Sequence, residues 1–209
     1  MTAQGSNLIN LPSPFTTGGL PLVEAIAERR SVRRYSPESI LLFQLSQILW
    51  AAQGVTDNRS NLRSVPSAGA TYPLEIYTVI GDEGVEQVDS GVYHYEVEDH
   101  ALRLYLPEDI RPEIADAALK QDFISVAPVT LVICAIYDRT LMRYSTRGER
   151  YVYLEVGHSS QNIYLQTIAL GLRTVAVGAF NDEEVRKVLR LDSSVRPLYI
   201  MPIGKPERA

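Results

Sequence analysis

The sequence predicts an α+β fold, a mixed β-sheet flanked by helices with one long central helix. Three stretches predict it. Residues 149–180 read as a long helix, a short turn and a strand. Residues 129–137 (VTLVICAIY) are a continuous apolar run, the pattern of a central strand covered on both faces. Residues 91–96 and 102–106 form a hairpin around Asp99 and His100. The order of strands and helices along the chain is that of an α+β domain.

The helix of residues 149–172 organises the rest. Apolar residues recur at 152, 156, 163 and 170, and again at 154, 165, 168 and 172. Two stripes leave little of the helix to face water. Gly157, Ser159 and Ser160 are small enough to let a second helix approach. The expectation is a sheet on one side and a second copy of the chain on the other; a scaffold helix buried within a monomer is the competing reading. Gly171 ends the helix where a left-handed residue costs little. Residues 173–177 alternate as a strand, closed by the small backbone of Gly178-Ala179-Phe180.

In chain order, residues 1–20 hold Pro12, Pro14, Gly18 and Gly19 and read as an extended arm. Pro21 opens a short amphipathic helix carrying Leu22, Val23 and Ile26 and reaching Arg30. Residues 41–52 have helical apolar spacing, with Gly54 as the stop. Residues 56–64 are a polar loop, and a stiff Pro-Ser loop (66–73) precedes a strand at 75–80. A modest helix covers 111–121, and an arginine-rich connector (138–148) leads into the long helix. Asn181 caps a helix to about Arg190, and residues 197–203 form the last strand. The whole of 1–209 reads as one domain.

Composition narrows the function. The 209 residues carry 20 Lys and Arg against 25 Asp and Glu, a net charge of −5, which argues against a nucleic-acid surface. Cys134 is the only cysteine, so no disulfide forms within the chain and a reducing cytoplasm fits. Neither a membrane-spanning stretch nor a signal pattern is present, so a soluble cytoplasmic protein is expected. His94, His100 and His158 lack partners at metal-ligand spacing, and no metal site is expected. No Rossmann or P-loop glycine pattern occurs.

Two chemistries remain. Residues 29–34 (RRSVRR) place four arginines in six residues around a serine. Such a run is either solvated surface or a site for a phosphate, which takes bidentate charge-assisted bonds from guanidinium groups. Small-residue backbone at 67–70 and 178–179 can approach a flat ligand closely. Together they suit a phosphorylated planar cofactor, and flavin mononucleotide (FMN) meets the requirements. His158, on so apolar a helix, reads as a buried structural histidine. Tyr72, Tyr144 and Tyr151 are candidates to line a substrate face.

The motifs RRSVRRY (29–35), LWAAQGV (49–55), PSAGATYPLEIY (66–77), GVYHY (91–95), EVGHSSQNIYL (155–165), GLRTVAVGAF (171–180) and PLYIMPIGKP (197–206) resemble the nitroreductase superfamily, and within it the SagB-type dehydrogenases that include thiazoline and oxazoline oxidases. The likeness spans residues 20–206. It implies an FMN-dependent homodimer with active sites at the subunit interface and the long helix at that interface. It implies that Arg29, Arg30 and Ser31 hold the phosphate and ribityl chain and that Arg33 reaches the pyrimidine edge. Pro66, Ser67, Ala68 and Gly69 are expected from the other subunit. Gly178 or Ala179 offers an N–H to the flavin N5, and Lys205 or Arg208 completes the phosphate site. The expected activity is hydride transfer through N5 between a reduced nicotinamide (NADH or NADPH) or organic donor and an organic acceptor. Dehydrogenation of azoline rings in peptide natural products, or a flavin-binding dimeric module without turnover, are the alternatives.

Three departures from the family pattern matter. The acidic residue common at position 178 in nitroreductases is glycine here. The long C-terminal extension of many members has no counterpart before Ala209, so the arm or the helices are expected to hold the dimer. The Lys-Tyr pair of azoline oxidases is matched by Arg143-Tyr144, or by Arg150-Tyr151. Arginine keeps its proton, so Arg143 is expected to orient a substrate and not to act as a base.

Overall fold

The architecture follows from strands that are apolar on both faces. In the computed structural model of the chain, residues 8–207 are described. Strands β1 (Leu8–Asn10), β4 (Leu74–Ile80), β5 (Gly91–Glu96), β6 (Ala101–Leu106), β7 (Val129–Ile136), β8 (Arg173–Thr174) and β9 (Val195–Gly204) form one sheet. Their order is β1-β6-β5-β4-β7-β9-β8. All pairings between these strands are antiparallel, and parallel bridges join Ser31 to Thr174 and Ile40 to Val85. Strand β7 sits between β4 and β9. Its Val129, Leu131, Ile133 and Ala135 enter one core and its Val132 and Cys134 the other. The unbroken apolar run is therefore the imprint of two cores, one on each face of the sheet.

Helices α2 (Leu42–Gln53) and α6 (Arg147–Ala169) cover the first face. They run antiparallel. Gln44 Nε2 donates to Leu170 O (3.1 Å), and the Ser159 hydroxyl donates to Ala52 O (2.9 Å). Helices α3 (Arg111–Ala117), α4 (Phe123–Val126) and α7 (Asp182–Val188) cover the second face. The Asn181 side chain accepts from Glu184 N at 3.1 Å, the cap expected from the sequence. Gly171 follows α6 with φ +73°.

Several elements differ from the sequence reading. The polar stretch 56–64 is not only a loop: β2 (Val55–Asp57) and β3 (Leu62–Arg63) pair there as a small hairpin. The connector 138–148 holds a helix, α5 (Asp138–Tyr144). The helix expected over 111–121 stops at Ala117, and Leu119 and Lys120 take positive φ. The strand expected over 173–177 pairs only at Arg173–Thr174, with Val177 bridging Ile200. Part of the arm is in the sheet as β1, and its continuation is tied down: the Ser46 hydroxyl donates to Pro12 O, and Gln47 bonds both the N–H and the C=O of Phe15.

The short helix α1 (Leu22–Glu28) packs on α6 but buries only Ala25. Leu22, Val23 and Ile26 point outward, 55–73% exposed. On α6, Gly148, Val152, Glu155, Val156, Ser159, Ser160, Ile163, Tyr164, Thr167 and Ile168 are buried. The opposite side, with Arg150, Tyr153, Leu154, His158 and Gln161, is exposed in the single chain. A Cβ at Gly157, on that side, would meet nothing within 4 Å. The sequence expected little of this helix to face water; in one copy of the chain a whole side does. His158 lies on it, so it is not the buried structural histidine expected.

Candidate functional site

The predicted site residues fall into two groups. In the first, the strand-like segment after α1 lies beside the turn after α6. Ser31 bridges Thr174, and Val32 N donates to Thr174 O at 3.1 Å. The Tyr164 hydroxyl is the joint between them. It lies 2.9 Å from Ser31 Oγ and accepts from Ala176 N at 2.8 Å. The Arg29 guanidinium sits over the Tyr164 ring, 5.4 Å from its centroid. Arg30 donates to Ala27 O and Arg29 O, and Arg33 lies 5.9 Å from the Phe123 ring centroid. Among the described residues, none of these three arginines has a carboxylate partner. Ser31, Gly178 and Ala179 are exposed, and no hydrogen bond within the described chain takes the N–H of Gly178 or Ala179.

That is an uncompensated cation cluster beside a serine hydroxyl and a small exposed turn. Oppositely charged oxygens are what such a cluster lacks, so these residues fit the phosphate and polar ring edge of FMN. Lys205 is placed differently. Its ammonium is 2.7 Å from Glu38 Oε2, already paired, and its carbonyl accepts from Ser36 N, outside this group. Arg208 lies outside the described residues.

The second group is the Pro-Ser loop. Ser67 Oγ accepts from Tyr72 N at 2.9 Å, closing a tight ring of chain. Gly69, Ala70 and Tyr72 all have positive φ within it, +60°, +53° and +44°. Arg143 and Tyr144 sit on the loop. Arg143 donates to Gly69 O at 2.9 Å, and a Cβ on Gly69 would lie 2.6 Å from the Tyr144 hydroxyl. The Tyr144 ring meets Tyr151 edge-on at 5.0 Å. Below, Arg139 donates to Tyr72 O at 3.0 Å and pairs with Glu75 at 2.5 Å. The pair read from the sequence as a substrate contact is thus built into the support of the loop.

No hydrogen bond, ion pair or ring contact joins the two groups among the described residues. They attach to opposite ends of α6, one at Tyr164 and the other around Tyr151 and Glu155. Tyr164 is nine residue steps beyond Glu155, roughly 14 Å along a helix.

Sequence reasoning missed Tyr164 and Glu155. Glu155 is 2% exposed, on the buried stripe of α6. Burial pushes its pKa up to about 7, against the pull of the Ser67 and Gln53 side chains and the Arg63 charge. An acidic residue spaced with Val152 and Ser159 was the available signal. The histidines have other work. His94 bridges Glu75 (2.5 Å) and Glu96 (3.3 Å), while His100 bonds Ser46 and Tyr95. No group of His, Cys, Asp and Glu among the described residues could hold a metal ion. Nor is any described helix long and apolar enough to cross a membrane.

The sheet order and the long α6 are those of a nitroreductase-like α+β fold. The chain belongs to the nitroreductase family, whose pattern it matches over residues 26–205. It is 50% identical over 186 residues to a candidate nitroreductase of Methanocaldococcus jannaschii, MJ1384, covering 89% of this chain and 91% of that one. It is 26% identical over 201 residues to an FMN reductase [NAD(P)H] of Bacillus subtilis, covering 88% of this chain and 66% of the other. A solved structure of a candidate nitroreductase from Ralstonia eutropha JMP134 matches with a TM-score of 0.86 at 27% identity, over 100% of this chain and 93% of that chain.

Proposed function

We propose that the chain is an FMN-dependent oxidoreductase acting as a homodimer, with each active site composed of the Arg29–Arg33 group of one copy and the Pro66–Gly69 loop of the other. The observation that carries this reading is the arrangement along α6. Its exposed side is centred near Gly157, between the two half-sites. A two-fold axis at Gly157 would set the Tyr164 end of one helix against the Arg150–Tyr151 end of the other. That brings the cation cluster of one copy toward the loop of its partner. Tyr153 and Leu154 on α6, and Leu22, Val23 and Ile26 on α1, give that surface its apolar character.

When bound, FMN supplies two-electron redox chemistry and passes it between a donor and an acceptor. The chain binds and orients. Arg29, Arg30 and Ser31 would hold the phosphate, Arg33 would meet the pyrimidine edge, and the exposed N–H groups at Gly178 and Ala179 would be the donors offered to the ring. The similarity to an FMN reductase supports a reduced nicotinamide as donor and an organic molecule as acceptor. The EVGHSSQNIYL motif, taken with the other six, resembles the SagB-type branch, and a reducing cytoplasm suits the buried Cys134 thiol. Arg143 favours the reductase over the azoline dehydrogenase: its guanidinium holds Gly69 O and cannot serve as a base.

The purified protein tests this directly. Its visible spectrum is expected to show bound flavin, light scattering a dimer, and stopped-flow mixing with NADH or NADPH bleaching of the flavin bands. A colourless monomer that takes up no added FMN contradicts the reading.

A further inference from the structure

Beneath the Pro-Ser loop lies a buried polar knot that the site described above leaves without a role. Gln53 from the end of α2, Arg63 from β3 and Glu155 from α6 meet there, and Ser67 faces them from the loop. Gln53 is fully buried and Glu155 nearly so. Arg63 donates to Gln53 Oε1 at 3.1 Å and stacks on Tyr72, 4.4 Å from the ring centroid. Its own backbone N–H donates to the Tyr72 hydroxyl at 3.3 Å. Gln53 Nε2, Arg63 Nε and Glu155 Oε1 close no hydrogen bond of good geometry. A buried polar group in this state is costly and marks a place where something is left to adjust.

The donor and acceptor inventory decides what can adjust. Around the Glu155 carboxyl stand the Ser67 hydroxyl, the Gln53 amide and the Arg63 guanidinium. The Gln53 oxygen already accepts from Arg63, so the acceptors left to a carboxyl proton are the second lone pairs of Gln53 Oε1 and of Ser67 Oγ. Ser67 Oγ already accepts the Tyr72 N–H, the bond that closes the loop. An ionised Glu155 accepts a hydrogen bond from the Ser67 hydroxyl and leaves the Ser67 lone pairs turned toward Tyr72. A protonated Glu155 must donate, and donation to Ser67 Oγ fills its second lone pair and turns the Ser67 proton away from the carboxyl, which reorients the oxygen that accepts the Tyr72 N–H.

We propose that Glu155 is the positioning residue of the Pro66–Gly69 loop, holding the loop in its flavin-contacting shape when ionised and loosening it when protonated. The consequence for FMN rests on the composite site proposed above. Burial pushes the Glu155 pKa up to about 7, so both states are populated near neutral pH. The one charge facing it is Arg63, which lies in the fields of Tyr72, Glu75 and Arg139. A bound state that favours the ionised carboxyl binds more tightly as pH rises through that value.

The test is FMN affinity from pH 6 to 8 for the parent protein, Glu155→Gln and Ser67→Ala, together with hydrogen exchange over residues 66–72 in the flavin-free proteins. Glutamine keeps the shape and cannot ionise. The parent is expected to gain roughly three- to tenfold more affinity over this range than Glu155→Gln, what a charge-assisted hydrogen bond gains over a neutral one. The flavin phosphate titrates equally in all three, so only the difference counts. Ser67→Ala is expected to lose the extra gain with Glu155 intact. Loop protection is expected to rise with pH in the parent alone. Equal pH profiles in parent and Glu155→Gln, with Glu155→Gln weaker by a constant factor, overturn the inference and leave Glu155 a packing residue. If the parent binds no FMN but its loop protection still steps with pH, the cofactor reading falls and the positioning role stands.

Discussion

Replacing Tyr164 by phenylalanine removes one oxygen and nothing else, and that oxygen joins the two segments proposed to form the phosphate half-site. It accepts from Ala176 N at 2.8 Å and lies 2.9 Å from Ser31 Oγ. Because Ala176 N–H donates to it, the phenol proton is free to point at Ser31. The Tyr164 side chain is 8% exposed, and the turn at Ala176 is half-buried. Losing the acceptor leaves the Ala176 N–H short of a partner, which costs about 1–3 kcal/mol for a buried donor. In a domain of this size that lowers Tm by roughly 2–4 °C per kcal/mol. Urea unfolding of the flavin-free protein is expected to show a lower midpoint with an unchanged slope. Ser31 loses its anchor at the same time, so FMN affinity is expected to fall about tenfold, or about 1.4 kcal/mol. If Tyr164→Phe unfolds at the parent midpoint and binds FMN as tightly, Tyr164 is packing alone and the account of this half-site is wrong.

Other outcomes follow from the same geometry. Arg29→Ala is expected to weaken FMN binding by about 1.5–3 kcal/mol, the loss of one charged hydrogen-bonding group, as read by flavin fluorescence titration. Arg33→Ala should lose less affinity but lower the flavin reduction potential by tens of millivolts, on the order of 1.4 kcal/mol per 30 mV; spectroelectrochemistry that finds an unchanged potential would reduce Arg33 to a surface charge. Gly69→Ala places a side chain at φ +60° against Tyr144 and Arg143 and should cost about 1–2 kcal/mol from the left-handed backbone alone, visible as a lower Tm. For His94, burial lowers the pKa, but bonds to Glu75 and Glu96 outweigh burial and raise it. Its contribution is full below the ordinary histidine pKa, about 6.5, and is lost as pH rises through the raised folded value. Unfolding free energy measured from pH 6 upward should therefore decline more in the parent than in His94→Gln.

The long-range order of the fold was legible where one physical cause wrote a clean pattern. The run at 129–137 is apolar because β7 feeds two cores, and the cap at Asn181 is a local hydrogen bond that any neighbour leaves intact. The elements that were misread lack such a signature. Helix α5 is arginine-rich and buries only Thr140 fully, so its periodicity carries no apolar stripe. The hairpin of β2 and β3 is too short and too polar to alternate. The two stripes of α6 were visible, but periodicity does not say which one lies against the sheet, and His158 was placed on the wrong side for that reason. The arginine cluster stood out because four like charges in six residues are conspicuous. Tyr164, Glu155 and Arg63 act through partners that are distant along the chain, and only the tertiary structure joins Ser31 to Tyr164 or Ser67 to Glu155. The same holds for Arg143, whose tie to Gly69 spans the loop and α5.

The central claim is that each active site takes its cation cluster from one copy and its loop from the other. Subunit complementation tests it. Arg29→Ala impairs the first half-site, and Gly69→Val, with a Cβ 2.6 Å from the Tyr144 hydroxyl, impairs the second. The two variants are expressed together with different affinity tags, and the mixed dimer is isolated. A composite site predicts that both defects gather in one site of the mixed dimer and leave the other intact, so half the flavin binds with the affinity of the parent while each homodimer binds weakly. If the mixed dimer binds FMN no better than the two homodimers, each site lies within a single chain and the account is contradicted.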